Sequence, residues 1–442
     1  MESAQPVGEG TTPDGRGPSE HDCDRILYSD ELRRLGGVTQ VVAVGEMPLF
    51  HTRLTHTLKV QQLARRMAEH LTRHNSPAKL EAVGGIDIGA AEAAGLAHDL
   101  GHPPFGHVGE TALRQECEAG SSLDGFEGNA QTFRILTKLS RRGAETQFGL
   151  DLSPKTLAGV IKYPWLRSGS HESDRKWNAY PTEGQIFDDV RASLGLEPEG
   201  RTIEACIMDW ADDITYAVHD LEDFIRSGRV PIVALATDDV ERAQFVARAT
   251  ERLKKKHPVD WDLVAQNFSD VLTTMFAQFQ KHEGTADDLD KLRSVSSKLI
   301  DNYVSAIDIA PGLDPLHILP EVRGEVELFK QLTWHYVIHD PALATMQVGQ
   351  ERIVHELFSD LLSWLDDAEK DKTEFRLPKR LWDMYVRTAT EPGHDRYSGR
   401  VARQRRSVAD YIASLTETQA VDLHGRLRGS GAHSVTDPWL RY

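Results

Sequence analysis

Residues 97–110 read Ala97-His98-Asp99-Leu100-Gly101-His102-Pro103-Pro104-Phe105-Gly106-His107-Val108-Gly109-Glu110, so that three histidines, one aspartate and one glutamate fall within thirteen residues. The preceding run from Gly89 to Ala97 is rich in small residues and reads as a helix, with Asp87 placed to cap it after the Gly84-Gly85 break. Gly101 and Pro103-Pro104 forbid its continuation. His98 and Asp99 therefore stand at a helix end facing a turn, which aims an imidazole and a carboxylate at one ion.

Two further ligands have to come from elsewhere in the chain. His56 opens a segment in which Val60, Leu63, Ala64, Met67, Ala68 and Leu71 recur at three- and four-residue steps, the apolar face of a helix. A second strong helix is expected over about Thr202–Arg226, with Ile207, Ala211, Ile214, Val218, Leu221 and Ile225 as its buried stripe. Its other stripe carries Asp212, Tyr216 and Asp220 at four-residue steps, which stacks two carboxylates and a phenol along one wall. His56, His98, Asp99 and Asp212 would bring two imidazoles and two carboxylates from three helices to a single divalent ion. Helical bundles build metal sites in this way, and such a set leaves positions open for water and substrate. Ligands of this kind accept Mn2+, Fe2+, Co2+, Ni2+ or Zn2+, with Mg2+ able to serve as well.

The remaining sequence supports an all-α chain. The stretch 141–200 is irregular and reads as loops and short helices over the site, with Lys176 and Glu183 as candidates to close over a ligand. From Ala234 onward amphipathic segments return at Val240–Lys256, Trp261–Lys281, Asp287–Ala306, Arg352–Lys370 and Ser407–Arg426, while alternating strand patterns are scarce. The expected organisation is a disordered tail over 1–24, a catalytic core over 25–230, and a helical C-terminal region over 231–442 packed on that core.

Composition narrows the function classes. The 442 residues are 40% hydrophobic, enough for a sizeable core, and carry a net charge of −17 from 51 basic and 68 acidic side chains. Such a surface repels phosphate backbones at long range, so nucleic acid is disfavoured as the main ligand, while a small anionic substrate requires a local concentration of cations. Cys23, Cys117 and Cys206 are far apart and form no CxxC pair, which argues against a disulfide framework or a cysteine zinc site. No run approaches the roughly 18 apolar residues of a membrane span, and the N-terminus lacks the order of a signal peptide; a cytoplasmic protein is expected.

The phrases His51-Thr-Arg53-Leu-Thr-His56-Thr, His98-Asp99-Leu-Gly-His102-Pro-Pro-Phe-Gly-His107-Val-Gly-Glu110, Phe126-Glu-Gly-Asn129-Ala-Gln131 and Ala211-Asp212-Asp-Ile-Thr-Tyr216-Ala-Val-His-Asp220 follow one another in order. Together they resemble bacterial dGTP triphosphohydrolase-like proteins of the HD-domain class, and more distantly the vertebrate SAM/HD-domain dNTPase. The likeness spans roughly Arg33 to Asp223, with a weaker echo at Asp410-Tyr411-Ile412-Ala413. It implies an HD-domain helical bundle with an additional helical C-terminal region. It implies one divalent metal ion per subunit held by His56, His98, Asp99 and Asp212, and catalytic roles for His102, His107 and Glu110 around the α-phosphate. It assigns Gln40, Tyr216 and Asp220 to the deoxyribose, Arg53 and Lys162 to the phosphates, and Asn129 and Gln131 to the lining of the same cavity. It also implies a dNTP substrate, a regulatory nucleotide in some relatives, and a homo-oligomer, a hexamer or tetramer. One departure is Val38, where the family often carries a lysine before Thr-Gln-Val.

A divalent ion at such a site polarises an α-phosphate oxygen, lowers the pKa of a bound water, or does both. His107 and Glu110, three residues apart on a helix, suit proton transfer, because a carboxylate behind an imidazole fixes its tautomer and raises its basicity. That pair would activate the water or protonate the departing 5′-oxygen. Cleavage at the α-phosphate would give a deoxynucleoside and tripolyphosphate. The rival readings are another HD phosphohydrolase, a 5′-nucleotidase or a cyclic-nucleotide phosphodiesterase, and a non-catalytic nucleotide sensor.

Overall fold

The computed structural model describes residues 15–41, 51–119, 125–142, 148–167, 176–255, 259–276, 278–279 and 284–430. Residues 1–14 of the expected tail, Lys256, Lys281 and residues 431–442 lie outside these. The principal helices of the first half are α1 (Pro18–Leu27), α2 (Arg53–His74), α3 (Ile88–Ala97), α4 (Gly106–Glu118), α5 (Gly128–Arg134), α6 (Pro154–Gly159), α7 (Ile203–Ile214) and α8 (Leu221–Arg226). The small residues of α3 explain its place. Ala90, Ala91, Ala93, Ala94 and Ala97 are fully buried, and the short side chains let α1, α2, α6 and α7 close around it.

Side-chain caps fix where these helices start. Thr52 accepts from the Thr55 amide at 3.3 Å, Asp87 from the Ala90 amide at 3.0 Å and Thr202 from the Ala205 amide at 3.2 Å. Between α7 and α8 the helix does not run on regularly: Thr215–Asp220 forms a π-helical turn, which adds a residue to the turn and shifts the side chains of the expected four-residue stripe.

The expected tail over 1–24 is corrected by α1. Pro18 stands at the first helical position, the Gly17 amide donates to Glu20 Oε2 at 2.8 Å, and Ser19 Oγ donates to Asp87 at 2.7 Å. Ser19 and Asp22 are buried, so residues 18–24 belong to the folded body.

The second half continues with α9 (Asp239–Leu253), α10 (Trp261–Met275), α11 (Ala286–Ser305), β1 (Ile307–Ile309), β2 (Leu316–Ile318), α12 (Pro320–Thr333), α13 (Pro341–Asp371), α14 (Lys379–Arg387), α15 (Arg400–Ala413) and α16 (Glu417–Leu427). The strands pair antiparallel with Ile307 opposite Ile318, a hairpin too short to leave a clear alternation in the sequence. The expected segment Ser407–Arg426 is divided at Ser414–Thr416, where Thr416 caps a new helix by accepting from the Gln419 amide at 3.3 Å. Among the described residues no helix is long and apolar enough to cross a membrane.

Among the described residues three large apolar cores and a small cluster of Ala130, Trp177 and Tyr180 hold these elements together. One joins α2, α7 and α8 to α9–α12 through residues such as Met67, Ile207, Phe224, Phe268 and Phe329. A second joins α4 to the C-terminal helices, with Ala112, Leu113 and Cys117 against Val354, Phe358, Leu361 and Ile412. The third surrounds α3 and α6. Each fully buried leucine, isoleucine or phenylalanine contributes about 1.5–3 kcal/mol of transfer free energy, so the C-terminal helices are part of what holds α4.

Candidate metal centre and active site

The end of α3 presents His98 and Asp99, the start of α2 presents His56, and the last turn of α7 presents Asp212. Ligand atoms of His56, His98 and Asp99 all lie within 4.8 Å of one another. Asp212 Oδ1 adds a fourth, 3.1 Å from His56 Nε2 and 3.8 Å from His98 Nε2. Each imidazole is oriented from behind. His98 Nδ1 donates to the Gly95 carbonyl at 2.8 Å, and His56 Nδ1 faces Asp220 at 3.1 Å. Both therefore turn Nε2 toward the carboxylates, which is how metal-binding histidines are set.

The donor set fits a cation. His98 Nε2 is buried with no hydrogen-bond partner among the described residues, although a nitrogen so placed ordinarily has one. Burial works against charge on His56, yet Asp220 and Asp212 outweigh it and lift its pKa to about 10. Burial likewise raises the Asp99 carboxyl, and Arg53 and His98 overcome it to hold it well below the usual range. This pocket thus already demands positive charge, and its nitrogens and oxygens are those a divalent ion takes.

Beside it stands a second group. His102, His107 and Glu110 place ligand atoms within 4.8 Å of one another, and the two rings lie 5.4 Å apart. His102 Nδ1 is 3.1 Å from Asp99 Oδ1; burial, then Arg53, push its pKa down to about 4, so it is a neutral imidazole at pH 7. Glu110 is buried and His107 is 75% exposed at the side chain, with Nδ1 donating to Glu110 Oε2 at 3.1 Å. Arg114 and Lys176 also hold Glu110 Oε1, at 3.0 and 2.9 Å. Burial raises Glu110, and the His107 hydrogen bond and Lys176 bring it well below the ordinary value, so it stands behind His107 as a carboxylate.

The turn between the two groups depends on Gly101. A Cβ there would lie 2.1 Å from the Gly128 carbonyl oxygen and 2.3 Å from the Thr132 nitrogen, so only glycine lets the turn pack on α5.

The other expected residues divide. Arg53 Nη1 donates to Asp99 Oδ2 at 2.7 Å, and Gln40 Nε2 donates to Asp220 Oδ2 at 3.2 Å. Lys162 Nζ lies 2.6 Å from Asp209 Oδ1 and 3.5 Å from Asp212 Oδ2, and these carboxylates override burial to raise its pKa well above normal. Tyr216 stands half-buried on the π-helical turn between Asp212 and Asp220. Asn129 Nδ2 donates to Glu127, which also binds Lys176 at 3.0 Å and so adjoins the Glu110 group. Gln131 and Glu183 stand apart. Gln131 is buried, donating to Asp410 at 3.0 Å and accepting from Tyr180 at 3.2 Å, while Glu183 is fully buried against Arg134 at 2.8 Å and Lys138 at 2.6 Å. Their amide and carboxylate are spent on the buried Arg134 cluster, which Glu391 and Asp410 complete.

Sequence reasoning passed over Asp209 and Glu127. Asp209, three residues before Asp212 on the same helix face, could have been found from that spacing. Glu127 gives no local signal beyond its place as the cap of α5, where it accepts from the Asn129 and Ala130 amides.

An HD domain matches residues 53–217, and a phosphohydrolase-associated domain matches residues 316–426. Fold and site together define a hydrolase of the HD class. A deoxyguanosinetriphosphate triphosphohydrolase-like protein of Streptomyces coelicolor is 33% identical over 94% of this chain and 93% of its own. One of Corynebacterium glutamicum is 33% identical over 92% and 90%, and a like protein 2 of Mesorhizobium japonicum is 30% identical over 94% of both chains. The chain belongs to the family of deoxyguanosinetriphosphate triphosphohydrolase-like proteins.

Proposed function

We propose that the protein hydrolyses deoxynucleoside triphosphates at the α-phosphate, releasing the deoxynucleoside and tripolyphosphate, with one divalent ion per subunit held by His56, His98, Asp99 and Asp212. The observation that carries this is the meeting of those four side chains beside the His102–His107–Glu110 group, with Gln40 bonded to Asp220 behind His56. The ion supplies Lewis acidity toward an α-phosphate oxygen or a bound water.

The chain's own residues supply the rest. Lys162 and Arg53, each already seated on carboxylates, concentrate positive charge at the site of a chain whose net charge is −17, and they offset charge on the triphosphate. Glu110 fixes the proton of His107 on Nδ1, which leaves Nε2 for proton transfer. His102, neutral at pH 7, donates or accepts one hydrogen bond beside Asp99 without adding charge. Water adds to the α-phosphorus, the bond from phosphorus to the 5′-oxygen breaks, and that oxygen takes up a proton. Gln40, Tyr216 and Asp220 offer an amide, a phenol and a carboxylate to the sugar hydroxyl, with Asn129 near the phosphate side. The functional unit is a homo-oligomer.

The test is incubation with each dNTP and NTP, singly and in mixtures, with Mn2+ or Mg2+, followed by phosphorus NMR. Tripolyphosphate is the expected product. Pyrophosphate or orthophosphate would reject the regiochemistry, and turnover of dNMP with none of dNTP would move the protein to the 5′-nucleotidase reading.

A further inference from the structure

The C-terminal helix α16 begins against the site, and its first residue is not used by the helix itself. Thr416 caps α16, accepting from the Gln419 amide at 3.3 Å while the Thr416 amide donates to Gln419 Oε1 at 2.9 Å. Glu417, buried at 7% exposure, turns its carboxylate away from its own helix and toward Thr39 and Phe105. Oε1 accepts from the Thr39 amide at 2.8 Å and the Phe105 amide at 3.0 Å, and Oε2 accepts from Thr39 Oγ1 at 2.8 Å. No cation pairs with it among the described residues. It therefore reads backbone position rather than charge.

Both segments it holds carry site residues. Thr39 precedes Gln40, and the Thr39 carbonyl accepts from Arg53 Nε at 3.2 Å, the same guanidinium that binds Asp99 at 2.7 Å. Phe105 stands at φ 68° without a side-chain cap and starts α4, the helix of His107 and Glu110. A non-glycine residue in that region needs outside support. The residues around Glu417 share the task. The Leu415 carbonyl accepts from Arg34 Nη1 at 3.1 Å, while Arg34 Nη2 donates to the Leu100 and His102 carbonyls at 2.8 and 2.7 Å. A Cβ on Gly37 would come within 2.8 Å of Thr416 Cγ2, so the chain just before Thr39 rests directly on this corner.

We propose that Glu417 is a positioning residue for the hydrolytic site: it sets the Gln40 arm and the His107 helix at a fixed spacing across the metal ligands, acting through Thr39, Arg53 and Phe105. This rests on the reading given under Proposed function. The test compares full-length wild type, Glu417→Gln and Thr285→Ala, the last removing a helix cap that touches none of these residues. Glutamine retains one acceptor but presents an amide to the other donors. The expected result is full metal loading and a kcat about 10–100-fold lower, because small misplacements of reacting groups cost this much, with KM changed far less. Thr285→Ala should lower the melting temperature without changing kcat. An unchanged kcat/KM for Glu417→Gln, or a loss that Thr285→Ala reproduces, would overturn the proposal. Hydrogen exchange of the metal-loaded proteins gives a readout that does not depend on the substrate. Faster exchange reaching Gln40, Arg53 and the first turn of α4 supports positioning even if no dNTP is turned over; a change confined to the Thr39 and Phe105 amides overturns it.

Discussion

The Nδ1 atom of His98 lies 2.8 Å from the carbonyl oxygen of Gly95, three residues earlier in its own helix. That bond holds the Nδ1 hydrogen on the carbonyl and turns Nε2 toward Asp99 and Asp212. His98→Ala should therefore remove bound metal with little change in secondary structure, and hydrolysis should fall at least about 100-fold, the scale of several kcal/mol of transition-state stabilisation. Elemental analysis of the purified variant together with circular dichroism checks this; full metal occupancy would contradict it.

Asp220 stands behind His56 at 3.1 Å and accepts from Gln40 at 3.2 Å. Asp220→Asn keeps the shape and removes the charge. Partners at this remove from a metal typically change affinity about 10–100-fold, so titration with Mn2+ should show weaker binding of that order.

Lys162 presents the opposite case. It sits between Asp209 and Asp212, and the proposed function gives it to phosphate, not to metal. Lys162→Met should leave metal content unchanged and raise KM roughly 10–150-fold, the equivalent of one charge-assisted hydrogen bond of about 1.5–3 kcal/mol. Steady-state kinetics separates this from a ligand loss, which would empty the site.

Burial raises the Glu391 carboxyl, but Arg134 and Lys138 prevail and hold it at about 2. Since the folded pKa is depressed, the stabilisation is fully present above the unfolded value near 4.5 and is lost as pH falls from there toward 2. The shift corresponds to about 3 kcal/mol. Glu391→Gln should be destabilised by a comparable amount at pH 7 and should show a flatter stability profile between pH 5 and 3 in urea denaturation.

Gly101→Ala should be destabilised by about 3 kcal/mol or more, because the added methyl meets backbone atoms of α5 that have no room to yield. Thermal melting measures it directly.

How far the sequence could be read follows from what each signal is made of. His56, His98, Asp99 and Asp212 were legible because each lies at the boundary or on the polar face of a strongly periodic helix. The irregular stretch 141–200 concealed Glu183, whose burial depends on Lys138 and Arg134 and on residues near the C-terminus. Gln131 has the same cause: its partner Asp410 is remote in sequence, and nothing local distinguishes an amide facing a cavity from one facing a buried carboxylate. Helices α12 and α14 were not singled out, and the polar segment ahead of Asp24 hid the start of α1, because a helix held by a proline, a cap and one serine–aspartate bond needs few apolar residues.

Arg134 meets Asp410, 276 residues further along the chain, at 2.9 Å and with no solvent contact. During synthesis the ribosome releases the guanidinium long before Glu391 or Asp410 exists. A nascent chain that holds every candidate metal ligand has Glu183 for that cation but lacks the two further carboxylates, Glu391 and Asp410, that surround it in the folded protein. The buried cation thus ties the end of α5, and through it the turn at Gly101, to a carboxylate in the last tenth of the described chain.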